Sequence, residues 1–576
     1  MYETVDNRIY IRYAPFMYIR TVIRHNKDGT TARYIQLAHN VWDPKAKRSA
    51  PHVVYSFGRE EQVDKEALRR LARSINRFLG HEEAMRAEDG SQASELRFTG
   101  SRPLGGAWVL NGLWERLGIG EVMGRLLAEH HYQSPVERAL FALVTNRALA
   151  PKSKLAVEEW VAEEVAMPGL PDAPVQQLYR AMDFLLEHQE EVQWQVFTAV
   201  ADLLNLEVDL LYFDTTSTYF EVEEEDEEEG GDGNGLRRRG YSKDHRPDLP
   251  QAVVGLAVTR EGIPVRCWVW PGNTADASVV AEVKKDLVGW KLGRVITVVD
   301  RGFVSEENLR ELQKAGGHYI AGERLRSGKQ DTEAALGRAG RYQWVKEGVE
   351  VKEIIVGEGE ARKRYVLVRN EKQVERDRAQ REKLMERLEQ ELSQLKELQG
   401  QPHTRTCCAL LAHPAYGRYL RADRLGRPHL DRGKLREEAR LDGKYLLRTS
   451  DDTLSAADVA LGYKQLAEVE RAFRSLKHDL DLRPMYHRLE ERIRSHVLLC
   501  WLALLLVRVA ENRTGETWCR LRLHLERIQL GEFSGPAGRV LRCSEPTPQQ
   551  KTIFKALGVP EPPHLHLVEL PAKAGA

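Results

Sequence analysis

Two apolar runs in this chain stop on a carboxylate: "VDLLYFD" ends at Asp214 and "RVITVVD" ends at Asp300. A buried strand that finishes on an acid must compensate a charge that is costly to desolvate, with a cation, a base or hydrogen-bond donors. One such ending is accounted for by a turn-opening Asp. Two narrow the options. From Glu207 onward the β-rich runs "VDLLYFD", "QAVVGLAVT" and "IPVRCWVW" follow one another through loops. The helical "TADASVVAEVKKDLVGW", the strand "RVITVVD", the helix "SEENLRELQKAG" and the strand "HYIAGE" come next. This order describes a mixed α/β sheet that opens with an antiparallel meander. Its first and fourth strands sit side by side, so both acids meet at one sheet edge. Like charges repel there, yet together they are good ligands for a hard divalent cation.

A third acid is expected on a helix packed across that edge. The segment Ala456 to His478 reads as one helix with an apolar stripe of Leu466, Val469, Phe473, Leu476 and, just beyond, Leu480. Beside the stripe, Tyr463, Glu470 and Lys477 recur every seven residues, and Arg474 lies one turn beyond Glu470. A carboxylate among Tyr, Arg and Lys suits a metal ligand flanked by phosphate contacts. An exposed face carrying ion pairs shows the same pattern.

The remaining chain divides by periodicity. Residues 1–100 alternate in strand fashion, with a hairpin turn at Asn26-Lys27-Asp28-Gly29, a third strand in "HVVYSFG" and a closing helix that ends at Gly80. Residues 101–205 are helical throughout. Their turn "NRALAPKSK", with Arg147, Lys152 and Lys154, reads either as a DNA-facing connection or as an ordinary interhelical turn. Residues 324–444 interrupt the α/β pattern with further strands and a charged helix whose Met385, Leu388, Leu392 and Leu395 form a short seam. The sheet domain then comprises 206–323 and 445–532, and 533–576 is a C-terminal tail. The expected architecture is multidomain α/β.

Lys+Arg and Asp+Glu both number 86, so net charge says nothing about nucleic acid. The acid is concentrated in Glu221 to Glu229, however, and local patches matter more than the sum. Directly after it, "LRRRGYSKDHR" brings Arg237, Arg238, Arg239 and Lys243 close to the first Asp. It reads as a DNA-backbone loop or as a solvated loop that neutralises the acid run. Trp270 offers base stacking or core packing. Six cysteines without a CxxC pair exclude a disulfide framework, and Cys407 and Cys408 near His403 are buried thiols or a metal site. The N-terminus has no signal-peptide core, and "HVLLCWLALLLV" is too short to span a bilayer. A cytoplasmic protein without a membrane partner is expected.

Asp-Thr-Thr after one strand, Asp-Arg-Gly-Phe after another, and Tyr463, Glu470 and Lys477 at their spacing resemble the DDE transposases of bacterial insertion sequences. Within these they are similar to the insertion-sequence-four group, which carries a Tyr-Arg-Glu-Lys signature. The resemblance spans about Ser101 to Glu532 and takes in "RGYSKDHRPDLPQ", "PGNTADAS" and "LRPMYHRLEERIRSH". The signature's arginine position is Leu466 here, leaving Arg471 or Arg474 for that role. The resemblance implies a ribonuclease-H-like catalytic domain interrupted by a β-rich and helical insertion, and preceded by a small β-rich domain and a helical DNA-binding domain. It implies Mg2+, replaceable by Mn2+, held by Asp214, Asp300 and Glu470 for two-metal phosphoryl transfer. Tyr463, Arg474 and Lys477 would hold phosphates of double-stranded DNA, both element ends and target, and a homodimer would assemble on it. The residues alone leave open a nuclease without strand transfer, an inactive DNA-binding relative and an aspartyl-phosphate phosphohydrolase. The last would want an acid where Thr216 stands.

Overall fold

A computed structural model describes residues 17–25, 31–43, 48–60, 63–64, 68 and 96–569, apart from 133–134, 205, 207–208, 227–234, 291–294, 347 and 536–537. The expected turn at Asn26–Gly29, most of the helix closing at Gly80 and Glu227–Glu229 lie outside the described residues. Two compact units result, one of residues up to Arg97 together with Gly535–Ala537, and one of Phe98–Ser534 and the residues from Gly538.

In the first unit β1 (Met17–His25), β2 (Thr31–Asp43) and β3 (Arg48–Arg59) form an antiparallel sheet in that order. His25 pairs with Thr31 and Met17 with His39, as alternation in the sequence predicts.

The second unit opens with β4 (Arg97–Pro103) and a helical layer. This layer contains α1 (Gly105–Arg116), α2 (Ile119–Glu129), α3 (Val136–Leu149), α4 (Lys154–Glu159), α5 (Val175–Glu187) and α6 (Gln189–Leu204). Next come β5 (Leu210–Tyr219), β6 (Gln251–Val258), β7 (Pro264–Pro271), α7 (Val280–Gly289), β8 (Ile296–Val299), α8 (Glu306–Gln313) and β9 (His318–Glu323). β5, β6 and β7 are the antiparallel meander, and β8 runs parallel between β5 and β9.

The expected insertion divides into two parts. After α9 (Gln330–Gly337), strands β10 (Gln343–Lys346), β11 (Val349–Val356) and β12 (Lys363–Asn370) join the same sheet through β15 (Lys444–Thr449). The nine-stranded order is β10-β11-β12-β15-β9-β8-β5-β6-β7. Only the stretch between β12 and β15 stands off as a lobe. It holds α10 (Glu371–Leu395), α11 (Gly400–Ala412), β13 (Leu420–Ala422), β14 (Pro428–Leu430) and α12 (Arg432–Ala439). The lobe has its own core of Leu388, Leu395, Cys407, Leu410, Tyr419 and Leu420, which accounts for Cys407 as a packing residue. It starts and finishes at neighbours, since Asn370 N donates to Gly443 O at 2.8 Å.

The segment expected as one helix is two, α13 (Ala456–Lys464) and α14 (Ala467–His478), broken at Gln465 and Leu466. Tyr212 Oη donates to the Gln465 side chain at 2.7 Å at this break. The apolar stripe of α14 is buried as predicted. α15 (Glu490–Thr514) is apolar enough to cross a membrane, but its apolar window is 94% buried by protein. It serves both layers: Ser495 Oγ donates to Met182 O of α5, and Arg494 donates to Val269 O of β7.

Residues 538–569 of the expected tail pack with the rest of the second unit. α16 (Trp518–Leu525), β16 (Gln529–Gly535), β17 (Gly538–Cys543), α17 (Pro548–Leu557) and β18 (Leu565–Glu569) complete the helical layer, with sheet order β18-β17-β16-β4. Thr547 and Gln550 make a capping box for α17. Gly112 of α1 leaves no room for a Cβ against Val559. Packing on α15 and α16 also buries two of the three cations of the "NRALAPKSK" turn: Arg147 and Lys154 are both 4% exposed, and Lys154 Nζ lies 3.3 Å from His496 Nδ1, while the partly exposed Lys152 pairs with Glu164. Burial holds the Lys154 ammonium well below its usual range. Arg147 and Lys154 therefore do not face solvent as a DNA-facing turn requires. Trp270 is likewise core, stacked on Trp268 and donating to Glu282.

Candidate active site

The parallel register of β5 and β8 pairs Leu210 with Ile296 and Phe213 with Val299. The next residues on the two strands are Asp214 and Asp300, so the two acids are neighbours as expected. They differ in setting. Asp300 ends its strand and opens a short 3-10 turn, Arg301–Phe303. Asp214 does not end β5, which continues to Tyr219 because β6 pairs with its full outer half. Burial pushes the Asp214 carboxyl up to about 6, with Asp276 and Asp300 adding and Lys243 and the Thr215 amide opposing.

Asp276, in the "PGNTADAS" loop, was not singled out by the sequence reading. It accepts from Thr215 Oγ1, and its carboxylate lies 3.1 Å from Lys243 Nζ, which is 3.9 Å from Asp214. Lys243 also donates to Thr215 O at 2.8 Å. An ammonium thus bridges two carboxylates beside β5, a position better suited to charge compensation than to a DNA-backbone contact.

Glu470 is exposed on α14 and makes no ion pair among the described residues. It lines a cleft of about 870 Å³ together with Asp300, Arg301 and Tyr463, whose other wall carries Asp377, Arg381, Arg418 and Tyr419 of the lobe. Tyr463 Oη donates to Asp300 Oδ1 at 2.8 Å and its ring stacks on Tyr445. Burial and the Asp300 carboxylate push the Tyr463 hydroxyl far up, so it remains a proton donor.

The expected phosphate contacts separate. Arg474 is exposed one turn past Glu470, whereas Arg471 pairs with Glu468 at 3.0 Å. Lys477 is drawn inward to Asp244, at 2.6 Å, and Arg483 holds the same carboxylate. Burial lowers the Lys477 ammonium and Asp244 opposes that shift. Asp244 belongs to the quoted "RGYSKDHRPDLPQ", but nothing in a loop's local pattern names its distant partners. The arginine run is also engaged: Arg237 pairs with Asp226, Arg238 with Glu225, and Arg239 donates to Glu223 O and Asp248 O. The described acid residues fold back on these arginines, the neutralising alternative for this loop.

The donors Asp214, Asp300 and Glu470 are all hard carboxylate oxygens, and Asp214 is left undercompensated by the protein itself. Oxygen donors of this kind suit a hard divalent cation, although among the described residues the three carboxylates do not converge within 4.8 Å of one another and Asp214 lies outside the cleft that Asp300 and Glu470 line. Asn at position 214 removes the charge that burial disfavours. The raised carboxyl contributes stability below about pH 4 that is lost as pH rises through about 6. Metal-free Asp214→Asn is therefore expected to melt above the parent at pH 7.5, by roughly 1 °C per kcal/mol released for a unit of this size. The gap should close towards pH 4 in calorimetric scans. An equal or lower melting point at pH 7.5 would contradict this environment for Asp214.

Two strand acids, a helix acid and a mixed sheet are the parts of a DDE phosphoryl-transfer enzyme. The transposase DDE domain family model matches residues 217–506, and the chain belongs to that family. At its N-terminus, residues 19–89 match the N-terminal domain of IS1634 family transposases. These matches name the IS1634 family; they do not name the insertion-sequence-four group. No curated protein matches the sequence. Among solved structures, the cryo-EM piggyBac transposase synaptic complex with hairpin DNA is similar over 68% of this chain and 70% of that chain, at 9% identity and TM-score 0.34.

Proposed function

We propose that this DDE transposase binds the ends of its element as double-stranded DNA, cleaves them and joins the 3′-hydroxyl to target DNA. We further propose that Asp214, Asp300 and Glu470 hold Mg2+. The observation that carries the reading is the neighbouring Asp214 and Asp300 on β5 and β8, with Glu470 in the cleft that Asp300 lines. Divalent cations held by these carboxylates would supply activation of the attacking oxygen and charge stabilisation of the leaving one. Tyr463 orients Asp300 through its hydrogen bond. Lys243 offsets the charge of Asp276 and, at longer range, of Asp214. Arg474 supplies an exposed cation beside Glu470 for a phosphate. Kinship with the insertion-sequence-four group rests on the Tyr463, Glu470 and Lys477 spacing, with Lys477 engaged by Asp244.

The test uses the purified chain, Mg2+ or Mn2+, a pre-cleaved element end and supercoiled plasmid. Joined end–plasmid products are expected, from a homodimer visible in sizing of the DNA complex. Nicking without any joining would replace this reading with a nuclease.

A further inference from the structure

We propose that the helical layer carries a second metal site, for a transition-metal ion of the Zn2+ class, built by His130, His188 and Glu191. His130 caps the C-terminus of α2, His188 and Glu187 lie at the junction of α5 and α6, and Glu191 is in the first turn of α6. One ligand atom from each of His130, His188 and Glu191 falls within 4.8 Å of the others. Both histidines turn Nε2 towards a carboxylate: His130 lies 3.8 Å from Glu191 Oε2, and His188 lies 3.9 Å from Glu187 Oε2.

These separations exceed a hydrogen bond, which ends near about 3.2 Å. The His130–Glu191 separation falls within the reach of two metal–ligand bonds of about 2.0–2.1 Å each. The imidazole rings stack with centroids 3.7 Å apart, a poor arrangement for two cations, so the glutamates do not serve to neutralise a doubly charged pair; because ring-nitrogen lone pairs lie in the ring plane, one imidazole rotates out of the stack for both to reach one ion. The surroundings orient Glu191 as a metal site requires. Gln195 donates to Glu191 Oε1 at 2.9 Å, leaving Oε2 for the ion, and Arg125 in turn donates to Gln195. Glu187 stays outside the ligand set, because Tyr132 donates at 2.8 Å to its Oε2, the oxygen nearest His188, while packing edge-on against Phe184. Imidazole nitrogens with carboxylate oxygens select Zn2+ over Mg2+, unlike the all-carboxylate set at the sheet. An ion there would tie α2 to the α5–α6 corner.

The experiment is calorimetric titration of ZnCl2 into the full chain under excess Mg2+, which competes at the carboxylate site. The parent is expected to bind one more Zn2+ than His188→Ala. The exposed His130→Ala serves as a second variant, with melting in the absence of Zn2+ confirming that both fold. Zn2+ should raise the melting temperature of the parent and leave both variants unmoved. Equal stoichiometry in the parent and either folded variant would overturn the site. The readout is binding and melting, independent of DNA cleavage, so it stands apart from the proposed function.

Discussion

Asp300→Asn is expected to lose Mg2+-dependent strand cleavage by at least about 10³-fold, which corresponds to several kcal/mol of lost charge stabilisation. Asn retains the shape and can still accept from Tyr463, so the hydrogen bond that holds position 300 survives while the anionic ligand does not. Asp214→Asn and Glu470→Gln should fall comparably. DNA binding should change little, since none of the three is a cation. Nicking of a radiolabelled end, alongside a gel-shift measurement, separates the effects. Cleavage at parental rate in any one variant would remove that residue from the metal-holding set.

The largest stability loss is expected from Asp244→Ala. Its carboxylate is 4% exposed and holds both Lys477 and Arg483. Removing one partner of a buried ion pair costs about 3–5 kcal/mol, because the remaining charge keeps its desolvation without its attraction. Two cations would be stranded here. Lys477→Ala should cost less, since Arg483 stays with Asp244. Urea unfolding of the two variants gives the order directly. A smaller loss in Asp244→Ala than in Lys477→Ala would show that this carboxylate does not organise the cluster.

The central sheet was readable from local pattern because its apolar strands are continuous and bounded by helices. The adjacency of Asp214 and Asp300 followed from strand order alone. What was not readable depends on distant pairing. "KRYVLVRN" reads as a strand, but its place in the main sheet comes from Tyr365 lying opposite Arg448, and no local periodicity encodes that. The same holds for Asp276 and Asp244, loop acids whose roles depend on Lys243 and Lys477 reaching them. The break at Gln465 falls between buried Val459 and Ala460 and the stripe that begins at Leu466, with no Pro or Gly at the junction, so the pattern predicts a single helix. The C-terminal segment was short of apolar runs, yet Val559 and the capped α17 pack into the helical layer.

The lobe departs from and returns to a single antiparallel pair, Asn370 beside Gly443 with Arg369 opposite Lys444. In evolutionary terms this is an excursion closed at its base, like a domain grafted into a hairpin. Its length enters the closure entropy only logarithmically, so lengthening or trimming it costs the sheet little. One wall of the cleft, with Asp377, Arg381 and Arg418, can thus diversify among descendants while the strands bearing Asp214 and Asp300 keep their register. Change in the lobe and retention of the acid-bearing strands thus fall on separable pieces of one chain.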